Sequence, residues 1–396
     1  MIESRIRAKS KAGRQGPHPV CGQARWWPRT IRGASLVACA TLGLLLSGPA
    51  FARADSHADA VTGPANSQHD SSPTQNKIEN NRGTEDRTTP SKLERYDYGL
   101  LWKIEHPTDD VAPAYLFGTI HVSDRRVLDL PREVDSAFRS ARSYSMEVKA
   151  DTATMLQMSA RFFYAPGSDK NLRNVCGTDT YELVRTAMRG RGLPDVMVLR
   201  LKPWAAMLLM SQQPVMDLEE ANRLNLDSWL YNRALREGKS VHALETIDEH
   251  LSGFENLTDE EQVLLLRKSM RYGSDDRDAR EALIQMYLQR EIGVLIQSDD
   301  ESGEHSERFE LNMAADDSTV DYDKGVPPEQ LRREEQAEKK LHHTLVVERN
   351  AIMVRAMQNR LAEGGAFVAV GAAHLPGEAG MLHLLEQQGY RLTRVY

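Results

Sequence analysis

LFGTIHVSD, Leu116 to Asp124, runs an apolar segment into a glycine and sets a histidine three positions later. FVAVGAAHLPG, Phe367 to Gly377, repeats the arrangement near the other end of the chain. A short apolar run bounded by such a signal reads as a buried strand, and a glycine at its end lets the backbone turn closely. Each histidine then falls just beyond a strand, where open α/β sheets place their ligands. One histidine in that position is ordinarily a satisfied loop residue. Two in matched contexts, His121 and His374, point to a common site.

Working outward, GLLWKIEH, AYLFGTIHV, SYSMEV, SVHALET, AFVAVGA and YRLTRVY all have the look of strands. Helical patterns lie between them. LDSWLYNRALREGK carries Leu226, Trp229, Leu230 and Leu235 on one face, with Gly238 placed for a C-terminal cap. TDEEQVLLLRKSMRY opens on a capping box, Thr258 with Glu261. LRREEQAEKKLHHTLVVERNAIMVRAMQNRLAEGG reads as one long helix ending at a glycine pair. Strands interleaved with helices give an α/β layer structure. Residues 298 to 328 are acidic and lack any pattern, which predicts a surface insertion rather than a hinge.

The chain of 396 residues can bury a large core, but its start does not belong to that core. Residues 1 to 35 hold eight bases against the single acid Glu3, and LVACATLGLLL (Leu36 to Leu46) follows, then SGPAFA to Ala52. This is the spelling of a secretory signal, residues 1 to 52, cleaved after Ala52. Its apolar run falls short of the roughly 20 residues of a membrane span. LVAC resembles a lipoprotein cleavage box at Cys39, but little apolar sequence precedes it. Residues 53 to 95 are polar and predict a disordered linker. Without residues 1 to 52 the chain keeps 42 bases against 56 acids, a net charge of −14. A surface so acidic argues against a nucleic-acid or anionic-lipid partner. Only Cys176 stays in that portion, so an internal disulfide is excluded.

Several familiar catalytic signatures are missing. Gly238-Lys239-Ser240 lacks the earlier glycine of a phosphate loop, because Arg233 stands there. H-E-x-x-H, G-x-S-x-G, C-x-x-C and G-x-G-x-x-G do not occur. What remains is an inventory at element ends. Glu147 in SYSMEV and Glu245 in HALET sit late in apolar strands, where a carboxylate is expensive unless paired or ligated. Arg349 and Asn350 lie on the apolar side of the long helix, and an arginine there commonly clamps a carboxylate. Two imidazoles with one or two carboxylates suit a divalent metal that keeps a position open for water. A metal-free arrangement also works, with one histidine as general base and the other, or Arg349, stabilising an oxyanion. Trp204 and the methionine-rich run through Met216 read as core packing, and His342-His343 as solvated.

LFGTIHVSD, SMEV, LDSWLYNRALREGKSVHALET, ERN and the last thirty residues together resemble the TraB/PrgY/GumN family, to which the Tiki proteases are related. The resemblance runs from about Tyr98 to Tyr396. It implies a fold shared with the erythromycin-esterase and ChaN group: a single α/β domain over residues 96 to 396, a central mixed sheet surrounded by helices. For Tiki-like members it implies a peptidase dependent on a divalent metal, manganese or cobalt, with zinc a further candidate. His121, Glu147 and His374 match the motif residues and are the expected metal ligands. Glu245 and Arg349 match positions less closely tied to the motifs; with Glu147 they are the expected catalytic groups. The expected protein is therefore an exported hydrolase, periplasmic or secreted, acting on peptide or protein substrates. Its rivals are a non-catalytic peptide-capturing protein of the envelope and a metal-free esterase with a histidine base.

Overall fold

A computed structural model describes residues 94–108, 110–211, 224–271, 277–295 and 323–396. The expected signal (residues 1–52), nearly all of the expected linker, the stretch around Met216 and most of the acidic insertion lie outside the described residues. All six expected strands form: β1 (Leu101–Glu105), β2 (Ala114–Thr119), β3 (Ser143–Met146), β4 (Ser240–Ala243), β5 (Ala366–Gly371) and β6 (Arg391–Arg394). They build one sheet in the order β4-β3-β5-β2-β1-β6. β2, β5, β3 and β4 run parallel, while β1 is antiparallel to both β2 and β6. The protein is a single α/β domain around this mixed sheet.

Burial explains why these runs are strands. Every residue of β3 and β5 is buried, because helices cover both faces of a parallel sheet and the sequence answers with continuous apolar residues. The edge strands β4 and β6 are largely exposed and correspondingly polar. Phe117, Phe138, Tyr144 and Phe367 interlock at the centre with ring centroids 5.1 to 6.5 Å apart. Each contributes about 1.5–3 kcal/mol through burial. Trp204 stacks on Phe254 at 5.3 Å and meets the edge of Phe162, so it packs the core.

The helices needed for the site are α1 (Leu226–Arg236), α2 (Ile247–Glu255), α3 (Asp259–Arg271), α4 (Pro328–His342), α5 (Arg349–Glu363) and α6 (Met381–Gln387). Asn225 opens α1 by accepting from the Ser228 amide, and Gly238, at φ +69°, follows its end. The expected Thr258–Glu261 capping box is present at the start of α3. The long helical pattern, however, is not uniform. Between α4 and α5 the six residues His343–Glu348 form a π-turn, and Gly253 of α2 packs against its Leu345 so closely that a Cβ would lie 2.5 Å from Leu345 Cδ2. His343 is exposed as expected, but His342 is half-buried, and burial lowers its pKa. Among the described residues no helix is long and apolar enough to cross a membrane.

Candidate functional site

Parallel pairing places the carboxyl ends of four strands on one rim. Thr119 pairs with Gly371, and Met146 with both Ala369 and Ala243. His121 follows β2 by two residues, His374 follows β5 by three, Glu147 follows β3 directly and Glu245 follows β4 by two. Because β2 and β5 are parallel neighbours, the two Gly-x-x-His segments end on the same rim.

On one flank stands a buried ionic network. Arg349, fully buried at the head of α5, donates from Nη2 to Glu147 Oε2 at 2.7 Å and from Nε to Glu245 Oε2 at 2.9 Å, with a further bond from Nη2 to Glu245 Oε1. The π-turn supports this placement: Leu345, within it, accepts from Arg349 Nη1 at 3.2 Å. His250 Nδ1 lies 2.9 Å from Glu245 Oε1 and 2.9 Å from Arg349 Nη2. A capping box formed by Thr246 and Glu249 starts α2 immediately after Glu245 and so swings His250 back over it. The second oxygen of Glu147 accepts from the Gly371 amide at 2.7 Å.

His374 belongs to the same flank. Its Nε2 is 3.7 Å from Glu147 Oε1, and its Nδ1 is 2.6 Å from Asn350 Oδ1. On the other flank His121 Nδ1 lies 2.6 Å from Asp227 Oδ2 in the first turn of α1, and Thr119 donates to Asp227 Oδ1 at 2.6 Å. The His121 ring is almost wholly buried.

The electrostatics follow from these contacts. Burial disfavours the Glu147 charge, but Arg349 and the neighbouring imidazoles outweigh it and hold its pKa at about 2. Glu245 is likewise buried, yet Arg349 and His250 keep it well below the ordinary carboxylate range. For Arg349 burial works against the charge, and Glu245 and Glu147 raise its pKa nonetheless. Burial dominates at His374 and pushes it down to about 4. At His121 burial also opposes protonation, but Asp227, with a further contribution from Glu147, raises the pKa.

Ligating atoms of Glu147, Glu245 and His250 all lie within 4.8 Å of one another. Both carboxylates of that group already hold the Arg349 guanidinium, so a cation there would meet a positive charge. The buried imidazole nitrogens without a hydrogen-bond partner include Nε2 of His121, His250 and His374. Unpartnered imidazole nitrogens beside an ionised carboxylate are the donor types that a divalent cation takes. The residues present therefore fit a divalent metal. Cys176 offers no alternative nucleophile: it is buried, and burial pushes its thiol up to about 11.

Every residue expected from the sequence lies on this rim or in its network: His121, Glu147, Glu245, Arg349 and His374. Two participants were not anticipated. Asp227 follows an N-capping asparagine, where an acid usually complements the helix dipole, so its composition carried no other signal. His250 shares the buried face of α2 with Leu251 and Phe254; a histidine on an apolar stripe five residues after Glu245 was the available clue.

The TraB/PrgY/gumN family model matches residues 100–394. Metalloprotease TIKI2 of Danio rerio is 26% identical over 328 residues, 74% of this chain and 60% of the relative. Metalloprotease TIKI1 of Homo sapiens is 26% identical over 328 residues, 74% of this chain and 61% of the relative. An uncharacterized protein of Treponema pallidum is 23% identical over 233 residues, 54% of this chain and 68% of that protein. The chain thus spans about 60% of the length of the Tiki relatives. No solved structure matches. The relatives are named metalloproteases, and the unpartnered imidazole nitrogen of His374 beside Glu147 is the kind of donor a divalent metal takes.

Proposed function

The chain belongs to the TraB/PrgY/gumN family, and on that premise we propose that it is an exported, metal-dependent hydrolase, a peptidase of the Tiki type. The observation that carries this reading is the pair of buried, unpartnered Nε2 atoms of His121 and His374, the latter 3.7 Å from Glu147 Oε1. His121, Glu147 and His374 would hold the metal; manganese or cobalt suits the family resemblance and zinc suits the donor types. A divalent metal in such a site supplies Lewis acidity and acidifies bound water, the needs of amide hydrolysis.

The chain's own groups divide the remaining work. Arg349 keeps Glu147 ionised and holds its Oε2, and Glu245 with His250 holds the guanidinium in place. Glu147 is then an ionised carboxylate held at the rim, with its Oε1 toward His374. The substrate would be a peptide or protein, and the signal-like sequence of residues 1–52 supports a periplasmic or secreted location.

One observation favours the metal-free esterase. His121 backed by Asp227 at 2.6 Å has the geometry of a base held by an orienting carboxylate. Metal analysis separates the two readings. Purified protein should carry about one equivalent of divalent metal, and His121→Ala and His374→Ala should lose it along with peptide-library turnover. Equal metal in all three proteins would overturn the metal reading.

A further inference from the structure

The two motif histidines share a sequence pattern but not their support. Asn350 Nδ2 donates to the Ala379 carbonyl at 2.7 Å, which turns its Oδ1 toward His374 Nδ1 at 2.6 Å. An amide oxygen only accepts, so Nδ1 of His374 must carry the proton and Nε2 the lone pair. On the opposite flank Thr119 donates to one oxygen of Asp227, and the other faces His121 Nδ1. A carboxylate also only accepts, so Nδ1 of His121 likewise carries a proton and the neutral ring has the same tautomer. Both Nε2 atoms are buried and without a partner.

We infer that Asp227 and Asn350 are positioning residues that lock His121 and His374 in the Nδ1–H tautomer, so that both Nε2 lone pairs face the rim. The supports come from different elements, the first turn of α1 and the first turn of α5. They also differ in charge. An anionic Asp227 makes His121 the stronger electron donor of the pair, whereas neutral Asn350 only orients His374. Thr119 serves as a brace: by holding one Asp227 oxygen it leaves the other aimed at the ring. The tautomers stand on hydrogen bonding alone; naming a metal as what the lone pairs meet rests on the proposed function.

Nitrogen NMR of isotope-labelled histidines in chelator-treated protein reads the tautomers, and titration with Mn2+ reads affinity. Wild type should show Nδ1–H at both residues. Asp227→Ala should release His121 from that single tautomer and weaken Mn2+ binding about 10- to 100-fold, and Asp227→Asn, which keeps an oxygen for Nδ1–H, should recover part of the loss. Asn350→Leu tests the same relation on His374 and carries the test should Asp227→Ala not fold. The inference is overturned by the neutral Nε2–H tautomer at either histidine in wild type. It is equally overturned if Asp227→Ala and Asn350→Leu leave tautomer and affinity unchanged, or if Asp227→Asn binds Mn2+ as poorly as Asp227→Ala. Correct tautomers with no Mn2+ binding in any protein would uphold the positioning role and remove the metal reading instead.

Discussion

Gly118 and Ala372 are in direct contact: a Cβ built at Gly118 would lie 3.1 Å from both Cα and Cβ of Ala372 and 3.2 Å from Leu375 Cδ2. The first Gly-x-x-His segment therefore packs on the turn Ala372–His374 that carries the second histidine. Tyr287 reinforces the junction by donating to the Gly118 carbonyl at 2.8 Å.

Gly118→Ala consequently has a specific expected effect. The added methyl must displace the Ala372 backbone by a few tenths of an ångström, and His374 moves with it. Turnover of a peptide substrate should fall about tenfold or more, since small misplacements at a reacting centre are costly. The melting temperature should change little beside that. Unchanged turnover would mean that the contact does not set the position of His374.

Arg349 is the counter-charge for two buried carboxylates. Arg349→Ala strands both, and the loss should be about 3–5 kcal/mol by chemical denaturation. Arg349→Lys keeps the charge but donates as a point rather than a fork, so it should restore only part of the stability. A lysine variant as stable as wild type would show that charge alone suffices.

Stability of the metal-free protein should decline on acidification in two stages. His374 sits at about 4 in the fold against an ordinary 6.5, so the unfolded chain binds the extra proton first as pH falls from 6.5 toward 4. Glu147 is depressed to about 2 from 4.5; its contribution is intact above 4.5 and is lost as pH falls toward 2. His121 acts oppositely: its raised pKa stabilises below 6.5, and that gain disappears as pH rises through the folded value. Urea midpoints measured across this range in wild type and in His374→Gln should differ in the upper stage. Parallel curves would contradict the assignment.

Cys176 should be inert. With its thiol raised to about 11 by burial, alkylation near neutral pH should be slow in the folded protein and rapid in denaturant. Activity should be indifferent to thiol reagents; rapid inactivation would point to a role that the packing does not suggest.

Local chemistry was legible before the structure. The six apolar runs, the capping box at Thr258 and the glycine after α1 are each fixed within a few neighbouring residues, and they are where expected. His121, Glu147, Glu245, Arg349 and His374 also stand out by composition, as polar groups at the ends of apolar strands and on an apolar helix face. The π-turn before Arg349 was not legible, because a helical pattern does not reveal one extra residue in a turn. Nor was His342 half-buried by its neighbours' packing rather than solvated.

The sequence by itself determined which segments are strands and which polar side chains end them. Tertiary structure alone decided which of those side chains meet. Strand order brings β2 beside β5 and β5 beside β3, so residues from distant parts of the chain share one rim. It also decided the partners: Asp227 for His121, Asn350 for His374, and one guanidinium for both glutamates. Hydrogen bonds across such separations depend on the path of the backbone between their ends, and no short window of sequence encodes that path.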